Sequence, residues 1–153
     1  MEWILKSFKQ LDIDELFELL KLRVDVFVVE QNCPYPEIDE KDRHADTLHL
    51  FGRNKKNGEF AAYLRILPPG LSFKETSFGR VVVAAQYRKQ GISNTMVKKT
   101  LEIIENRWPE KNIRIGAQVY LKQFYESHGF QSVSSEYFED GIAHIDMLRK
   151  WIR

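Results

Sequence analysis

Hydrophobic residues recur at helical spacing in three segments of the chain, and each segment carries a signal for its own start or end. Asp12, with Glu15 three residues later, forms a capping box that predicts where the first helix begins. Pro109 predicts the end of the second helix, and Gly129 suits the left-handed conformation that ends the third. The predicted helices span about Ile13–Val28, Gly91–Trp108 and Leu121–His128.

Runs of β-branched and aromatic residues between these helices predict strands. Val81-Val82-Val83 is typical of a central strand covered on both faces, and Asp140-Gly141 predicts a tight hairpin between the last two strands. The order β-α-β-β-β-α-β-α-β-β implies a mixed sheet with helices on both faces. The expected strands are Trp3–Phe8, Leu48–Arg53, Glu59–Leu67, Phe78–Ala84, Ile113–Gln118, Ser132–Glu139 and Ile142–Arg149.

Composition narrows the class of protein. The 153 residues suit one domain, and 43% hydrophobic with 29% charged residues is typical of a globular protein. The net charge is only +1, from 23 basic and 22 acidic residues, so the chain lacks the excess of basic residues typical of a dedicated nucleic-acid binder. No apolar stretch approaches the ~20 residues that span a bilayer, and the N-terminus lacks signal-peptide features. Cys33 is the only cysteine, which excludes an internal disulfide, so we expect a cytoplasmic protein.

The segment from Val81 to Asn94 carries the clearest chemical signal. An apolar strand leads into a loop with Arg88 and Lys89, and Gly91 begins the next helix. A helix N-terminus offers unpaired N–H groups and a positive dipole, so it can bind phosphate. One glycine before a helix is also compatible with a simple turn that binds nothing, and the nucleotide P-loop and dinucleotide fingerprints are absent.

The same loop gives the chain a family resemblance. Arg88-Lys89-Gln90-Gly91-Ile92-Ser93 resembles the Arg/Gln-x-x-Gly-x-Gly/Ala motif of the GNAT superfamily of N-acetyltransferases, with Ser93 where the family usually has Gly or Ala. The resemblance covers nearly the whole chain and implies one GNAT domain over 1–153. That α/β (α+β) fold has a central mixed, mostly antiparallel sheet of six to seven strands and about four flanking helices. Stretches similar to the ElaA-like subgroup are 27–35, 62–70, 79–83 and 139–145.

The resemblance implies a site for acetyl-CoA as cosubstrate. The backbone beside Val81, Val82 and Val83 would pair with the pantetheine arm, and an amide of Val81 or Val83 would polarise the thioester carbonyl. The valine side chains would meanwhile belong to the core. The pyrophosphate would lie on the loop and helix start formed by Arg88, Lys89, Gln90, Gly91, Ile92, Ser93 and Asn94.

Tyr125 is the catalytic acid that the resemblance implies, because Leu121–Phe130 is similar to the family's helix that carries a catalytic tyrosine. A tyrosine has a pKa of ~10 and a thiol ~8.5, so proton transfer to a departing thiolate is uphill by only ~2 kcal/mol. Without the resemblance, the adjacent pair Phe124 and Tyr125 would be interpreted as core residues.

The general base is less well defined. An alkyl amine with a pKa of ~10.4 is mostly protonated at neutral pH, so a base is useful, and the strand 79–84 contains no carboxylate. Glu30 and His144 rank first because both lie in subgroup-like stretches. Glu30 could instead brace the end of the first helix, and His144 could face solvent. The other candidates are Asp39, Asp42, His49 and Glu139; no spacing fits a metal site, and we expect no metal.

The sequence thus predicts transfer of an acetyl group from acetyl-CoA to a primary amine by direct attack. It does not identify the amine. An acidic bias of the loop from Glu37 to Asp46 could attract a cationic acceptor or serve only solvation. Two alternatives are a non-catalytic acyl-CoA-binding or sensing module and an interaction domain using the C-terminal hairpin. Dimerisation through the end strands is also compatible with the sequence.

Overall fold

Two antiparallel sheets, each of four strands, meet along one edge. The structure is a computed structural model that describes residues 1–152. The first sheet has the order β1 (Glu2–Ser7), β2 (Leu48–Arg53), β3 (Phe60–Leu67) and β4 (Ser77–Val83). In the second, β8 (Ile142–Arg149) pairs with β5 (Ile113–Gln118), β6 (Gln131–Ser132) and β7 (Tyr137–Glu139).

Three α-helices accompany the sheets. They are α1 (Ile13–Arg23), α2 (Ile92–Arg107) and α3 (Lys122–Glu126). The predicted capping box begins α1: Asp12 Oδ1 accepts from the Glu15 amide at 2.7 Å, and Glu15 Oε1 accepts from the Asp12 amide at 2.9 Å. A π-helical segment, Val24–Glu30, continues α1 without a break. None of the helices within residues 1–152 is long and apolar enough to cross a membrane.

The predicted fold class is confirmed, with differences in the elements. Residues 1–152 form eight strands rather than six to seven, and three α-helices rather than about four. The first predicted helix changes from α to π after Arg23. The predicted strand at 132–139 is divided in two, because Ser134 Oγ instead of a backbone oxygen accepts from the Asp146 amide at 2.9 Å.

Hydrophobic residues cover both faces of the first sheet, and every residue of β3 is buried. On one face, Leu64 and Ile66 belong to the larger core cluster, which also contains Met96 of α2. On the other face, Tyr63 packs with Leu19 of α1. Alternate side chains of β3 therefore pack into two different cores. Since both faces of the strand are buried, its sequence is almost continuously apolar.

Charged residues are also buried beside the second core. Arg23 of α1 is 0% exposed, and its Nη1 donates to Asp42 Oδ1 at 2.8 Å while its Nε donates to Glu37 Oε1 at 2.8 Å. Arg65 of β3 donates to Asp39 Oδ1 at 2.6 Å and to Asp42 Oδ1 at 2.9 Å. Together with Arg80, which contacts Glu37, these side chains form what we call the ion-pair cluster: Arg23, Glu37, Asp39, Asp42, Arg65 and Arg80.

The ion-pair cluster explains the acidic bias of the loop after α1. Glu37 and Asp42 are buried and bind arginines, so these carboxylates are neither solvated nor offered to a ligand. Burial alone would raise the pKa of Asp42, but the hydrogen bond and charge of Arg23 and the charge of Arg65 outweigh burial and hold this pKa below its usual range. Asp42 therefore stays ionised and fixes the loop to α1 and β3.

The two sheets join at β4 and β5, which run parallel. Within residues 1–152 they share one isolated bridge, Thr76 with Ile113, and the Arg114 amide donates to the Thr76 carbonyl at 3.0 Å. Beyond this point no pairing between β4 and β5 is present in the described chain. The strands diverge and leave a cleft between the sheets.

Removing the charge of Arg23 should unfold the protein more easily. Arg23→Met leaves the buried Glu37 and Asp42 carboxylates without this partner, and we expect a loss of about 3–5 kcal/mol in the free energy of unfolding. Lys21→Met is the matched control, because Lys21 lies on the same helix in an exposed ion pair with Asp25 and should leave stability unchanged. Urea unfolding measures both variants; equal stability of the two would contradict the role of the ion-pair cluster.

Candidate active site

A cleft of about 750 Å³ lies where β4 and β5 diverge. Its base is formed by β4 from Phe78 to Val83 and by β5 from Ile115 to Gln118. One wall comes from the π-helical segment and the following loop, and the other from α3 and the β7–β8 hairpin. Predicted site residues in the lining are Glu30, Val81, Val82, Val83, Arg88, Ser93, Tyr125 and His144.

One edge of β4 presents unpaired backbone to this cleft. The Ala84 amide donates to the Ala61 carbonyl of the neighbouring chain segment at 2.8 Å, and Val82 lies opposite Tyr63. Backbone groups of successive strand residues point to opposite sides. Val82 therefore bonds to β3, while the amides of Val81 and Val83 face the open edge.

A β-bulge at Arg80 sets the direction of the β4 backbone along this edge. The pairing register shifts between Tyr63 and Arg65, and Arg80 has a φ of 54°, a left-handed conformation that is costly for a long side chain. Arg80 Nη2 donates to the Glu37 carbonyl at 3.0 Å, and Nε lies 2.7 Å from Glu37 Oε2. The ion-pair cluster thus holds the bulge next to Val81.

The predicted phosphate-binding loop has the geometry of an anion site. Gly91 is the N-cap of α2 with a φ of 76°, and Lys89 has a φ of 62°. The Thr95 amide is bonded to the Gly91 carbonyl, so the preceding amides of Ile92, Ser93 and Asn94 have no acceptor within the helix. A Cβ at Gly91 would meet nothing within 4 Å. Of the predicted loop residues, Lys89, Gln90, Gly91 and Asn94 are exposed at the surface.

Arg88 connects this loop to the opposite wall. Its Nη1 and Nη2 donate to the two carboxylate oxygens of Glu30, each at 2.9 Å, and its Nε donates to the Val83 carbonyl at 3.0 Å. Two parallel bonds of this kind are the strongest form of an arginine–carboxylate pair. Glu30 therefore lies in the cleft as predicted, but with its carboxylate already bound.

Tyr125 lies at the inner end of the cleft. It is 5% exposed, its ring packs against Phe78 and Phe130, and within residues 1–152 its hydroxyl has no hydrogen-bond partner. Burial, and then the neighbouring Tyr120, raise the pKa of Tyr125 above its ordinary value. The hydroxyl keeps its proton at neutral pH, as a general acid must.

His144 lies on β8 opposite Tyr137 and stacks on it, with ring centroids 5.9 Å apart. Its Nδ1 is 2.7 Å from the Ile142 carbonyl. Because a carbonyl can only accept, Nδ1 carries the proton in the neutral ring and Nε2 carries the lone pair. Nε2 lies 3.8 Å from Glu139 Oε2. The ring is half-buried rather than free in solvent.

Of the remaining candidate bases, Asp39, Asp42 and His49 are already bonded, whereas Glu139 is exposed and lines the cleft. His49 is fully buried, with Nδ1 2.7 Å from the Tyr63 hydroxyl and Nε2 3.0 Å from the Asp42 carbonyl. Asp42 itself is in the ion-pair cluster. Asp39 lines the cleft but binds Arg65. The alternation Leu48-His49-Leu50 would place His49 on a solvent face, and His49 is buried because both faces of β2 are covered. No sequence signal reveals the pairing of Asp39 with Arg65.

Tyr120 and Cys33 are among the lining residues that were not predicted from the sequence. Tyr120 is 73% exposed at the mouth of the cleft, five residues before Tyr125. Cys33 is buried, and its Sγ donates to the Asp140 carbonyl at 3.2 Å, which joins the two walls. The position of Tyr120 in the same β5–α3 connection as Tyr125 is a signal that could have identified it.

Comparisons with known proteins agree with this geometry. A family model described as an acetyltransferase (GNAT) domain matches residues 40–150. The Escherichia coli protein ElaA is 42% identical over 153 residues, which are 100% of this chain and 99% of that protein. The chain therefore belongs to the GNAT family of acetyltransferases.

Within the family, the resemblance to ElaA is confirmed by structure as well as sequence. The crystal structure of Escherichia coli ElaA has a TM-score of 0.90 at 41% identity, over 97% of this chain and 99% of that one. The crystal structure of an acyl-CoA N-acyltransferase from Pseudomonas aeruginosa has a TM-score of 0.91 at 38% identity, over 97% and 98%. The fold is that of the acyl-CoA N-acyltransferases.

The raised pKa of Tyr125 leads to a simple titration. At pH 10, where a free tyrosine is about half ionised, the folded wild-type protein and Tyr125→Phe should show the same ultraviolet signal from phenolate, because Tyr125 is still protonated. A larger phenolate signal in the wild type would show that Tyr125 ionises normally. Circular dichroism at the same pH checks that both proteins remain folded.

Proposed function

We propose that this protein is an N-acetyltransferase that transfers the acetyl group of acetyl-CoA to a primary amine by direct attack. The observation that carries the proposal is the convergence of three features on one cleft. These are the open edge of β4, the unpaired amides at the start of α2, and the buried hydroxyl of Tyr125. A binding module needs the first two features, whereas the third serves chemistry.

The residues present fit coenzyme A. The amides of Ile92, Ser93 and Asn94 precede the first bonded amide of α2 and suit a pyrophosphate, and Lys89 and Gln90 lie beside them at the surface. The open edge of β4 at Val81 and at the Val83 amide suits a pantetheine arm, which can pair like an added strand. The Val83 carbonyl already accepts from Arg88 Nε. Acetyl-CoA would supply the acetyl group as an activated thioester.

Backbone amides of β4 would stabilise negative charge on the reacting carbonyl oxygen. The amides of Val81 and Val83 face the cleft, and the bulge at Arg80 fixes their direction through Glu37. Such preorganised donors lower a barrier because they need not reorient during the reaction. Loss of one donor in comparable sites costs about 10²–10³ in kcat.

Tyr125 would donate its proton to the sulfur as the C–S bond breaks. Its ring packs against Phe78 and Phe130, and burial raises its pKa, so the proton stays in place until the thiolate forms beside it. The thiolate is a weaker base than the phenolate, so this transfer is uphill, and by more than for a free tyrosine. The phenolate formed would regain its proton after product release.

His144 would accept the proton that the amine loses. His144 lines the cleft, and because Nδ1 is bonded to the Ile142 carbonyl, the lone pair of the neutral ring is on Nε2. Glu30, the other candidate ranked first, would have to break its bonds to Arg88 before it could accept a proton. We therefore place His144 first as the base, and assign to the Glu30–Arg88 pair the support of the phosphate-binding loop.

Two glycines test the phosphate-binding loop. Gly91→Ala and Gly58→Ala both place a side chain at positive φ, 76° and 75°, in open space, and each should lose about 1–2 kcal/mol in stability from backbone strain. Only Gly91→Ala should weaken acetyl-CoA binding, by about tenfold or 1.4 kcal/mol, because it alters the loop before α2. Calorimetric titration measures both; an equal effect of the two variants on affinity would contradict the assignment.

Removal of the Tyr125 hydroxyl should affect turnover more than binding. Tyr125→Phe should lower kcat by about 10²-fold or more and leave the dissociation constant of acetyl-CoA within about twofold. Tyr87→Phe is the control, because the Tyr87 hydroxyl is buried against Glu59 outside the cleft and its loss should not change kcat. Release of the CoA thiol reports turnover, and an unchanged kcat in Tyr125→Phe would exclude the tyrosine as the acid.

A further inference from the structure

The charges that line the cleft are unevenly paired. Its two arginines are both engaged by carboxylates: Arg80 by Glu37 and Arg88 by Glu30. Asp39, the acidic residue of the loop wall, is bound by Arg65. Each of these charged groups is already bonded to a group of opposite charge, so none is free to bind a charge on an incoming acceptor.

The hairpin wall differs, because the two acidic residues with which it lines the cleft, Glu139 and Asp140, have no arginine or lysine partner in residues 1–152. The register pairs Tyr137 with His144 and Glu139 with Ile142. Residues two apart share a face of a strand, so the side chains of all four lie on one face of the hairpin. Glu139 is mostly exposed, and its Oε2 lies 3.8 Å from Nε2 of His144. Asp140 follows in the turn and also lines the cleft.

The other face of the same sheet belongs to the core. Ile145 and Met147 are buried against Ile115 and Ala117 of β5. The face with Glu139 and His144 is therefore the one that an acceptor meets. An acceptor whose amine reacts near His144 finds a carboxylate within a few ångströms and no unpaired cation.

We infer that the acceptor is a primary amine with a second cationic group, such as a diamine or oligoamine, and that amines with a carboxylate are disfavoured. This inference rests on the proposed acetyltransferase function and names its substrate class. A second ammonium would lie near Glu139 and Asp140. A carboxylate at the same place would meet those negative charges, and to gain a partner it would have to displace Glu37 from Arg80 or Glu30 from Arg88.

A series of three amines isolates this effect. 1,4-Diaminobutane, butylamine and 4-aminobutanoate share the reacting amine and a four-carbon chain, and differ in the charge of the far end. We expect kcat/KM to fall in that order, with about fivefold between successive compounds, the size of one charge interaction near a protein surface. A preference for 4-aminobutanoate, or equal values for all three, would overturn the inference.

Charge-neutral variants assign the preference to the hairpin. Glu139→Gln, and the double variant with Asp140→Asn, should reduce the advantage of 1,4-diaminobutane over butylamine to less than about twofold. Asn tolerates the positive φ of position 140, which is 52°. Glu105→Gln on α2, which removes an exposed charge outside the cleft, should leave the preference intact. A preference that survives both hairpin substitutions would contradict the inference.

A binding measurement separates failure of this inference from failure of the proposed function. The protein is saturated with CoA and titrated by calorimetry with 1,4-diaminobutane, butylamine and 4-aminobutanoate in turn. This measurement needs no turnover. Tighter binding of 1,4-diaminobutane, lost in Glu139→Gln, supports the inference even if no thiol is released in the activity assay. Absence of thiol release with every amine counts against the enzyme, whereas absence of diamine binding counts against the acceptor class.

Discussion

The buried ion-pair cluster is the constraint on which the rest of the structure depends. Arg23, Arg65 and Arg80 come from α1, β3 and β4, and all three bind carboxylates of one loop, Glu37, Asp39 and Asp42. An ion pair of this kind adds little net stability over an apolar core, but the loss of one partner leaves a buried charge and is costly. The cluster therefore fixes the loop in one position rather than merely strengthening the fold.

Arg80 connects the ion-pair cluster to the cleft. The left-handed conformation of this residue is unfavourable, and the contacts with Glu37 offset that cost while the bulge turns the following amides toward the cleft. On the other side of the same edge, Arg88 bonds both Val83 and Glu30. The open edge of β4 is thus held at both ends by an arginine that bonds the opposite wall. Such fixed donors are what electrostatic catalysis requires.

Local patterns in the sequence predicted most of the helices and strands. The capping box at Asp12, the strands β2 and β5, and the start of α2 at Gly91 all depend on residues close in sequence. What the sequence could not give were interactions between distant residues of opposite charge. Glu30 and Arg88 are 58 positions apart, and either could have paired with several other residues. For the same reason the acidic loop suggested a ligand site, although its buried carboxylates bind arginines. The divergence of β4 from β5 is likewise a tertiary feature without a local signal.

Coenzyme A should bind in the cleft between the two sheets, and a crystal structure of the protein with coenzyme A tests this most directly. We expect electron density for the pyrophosphate against the amides that precede α2, with the sulfur beside β4 at Val81–Val83 and within reach of the Tyr125 hydroxyl. Density for the cofactor at another surface, or none at saturating concentration, would contradict the proposed active site.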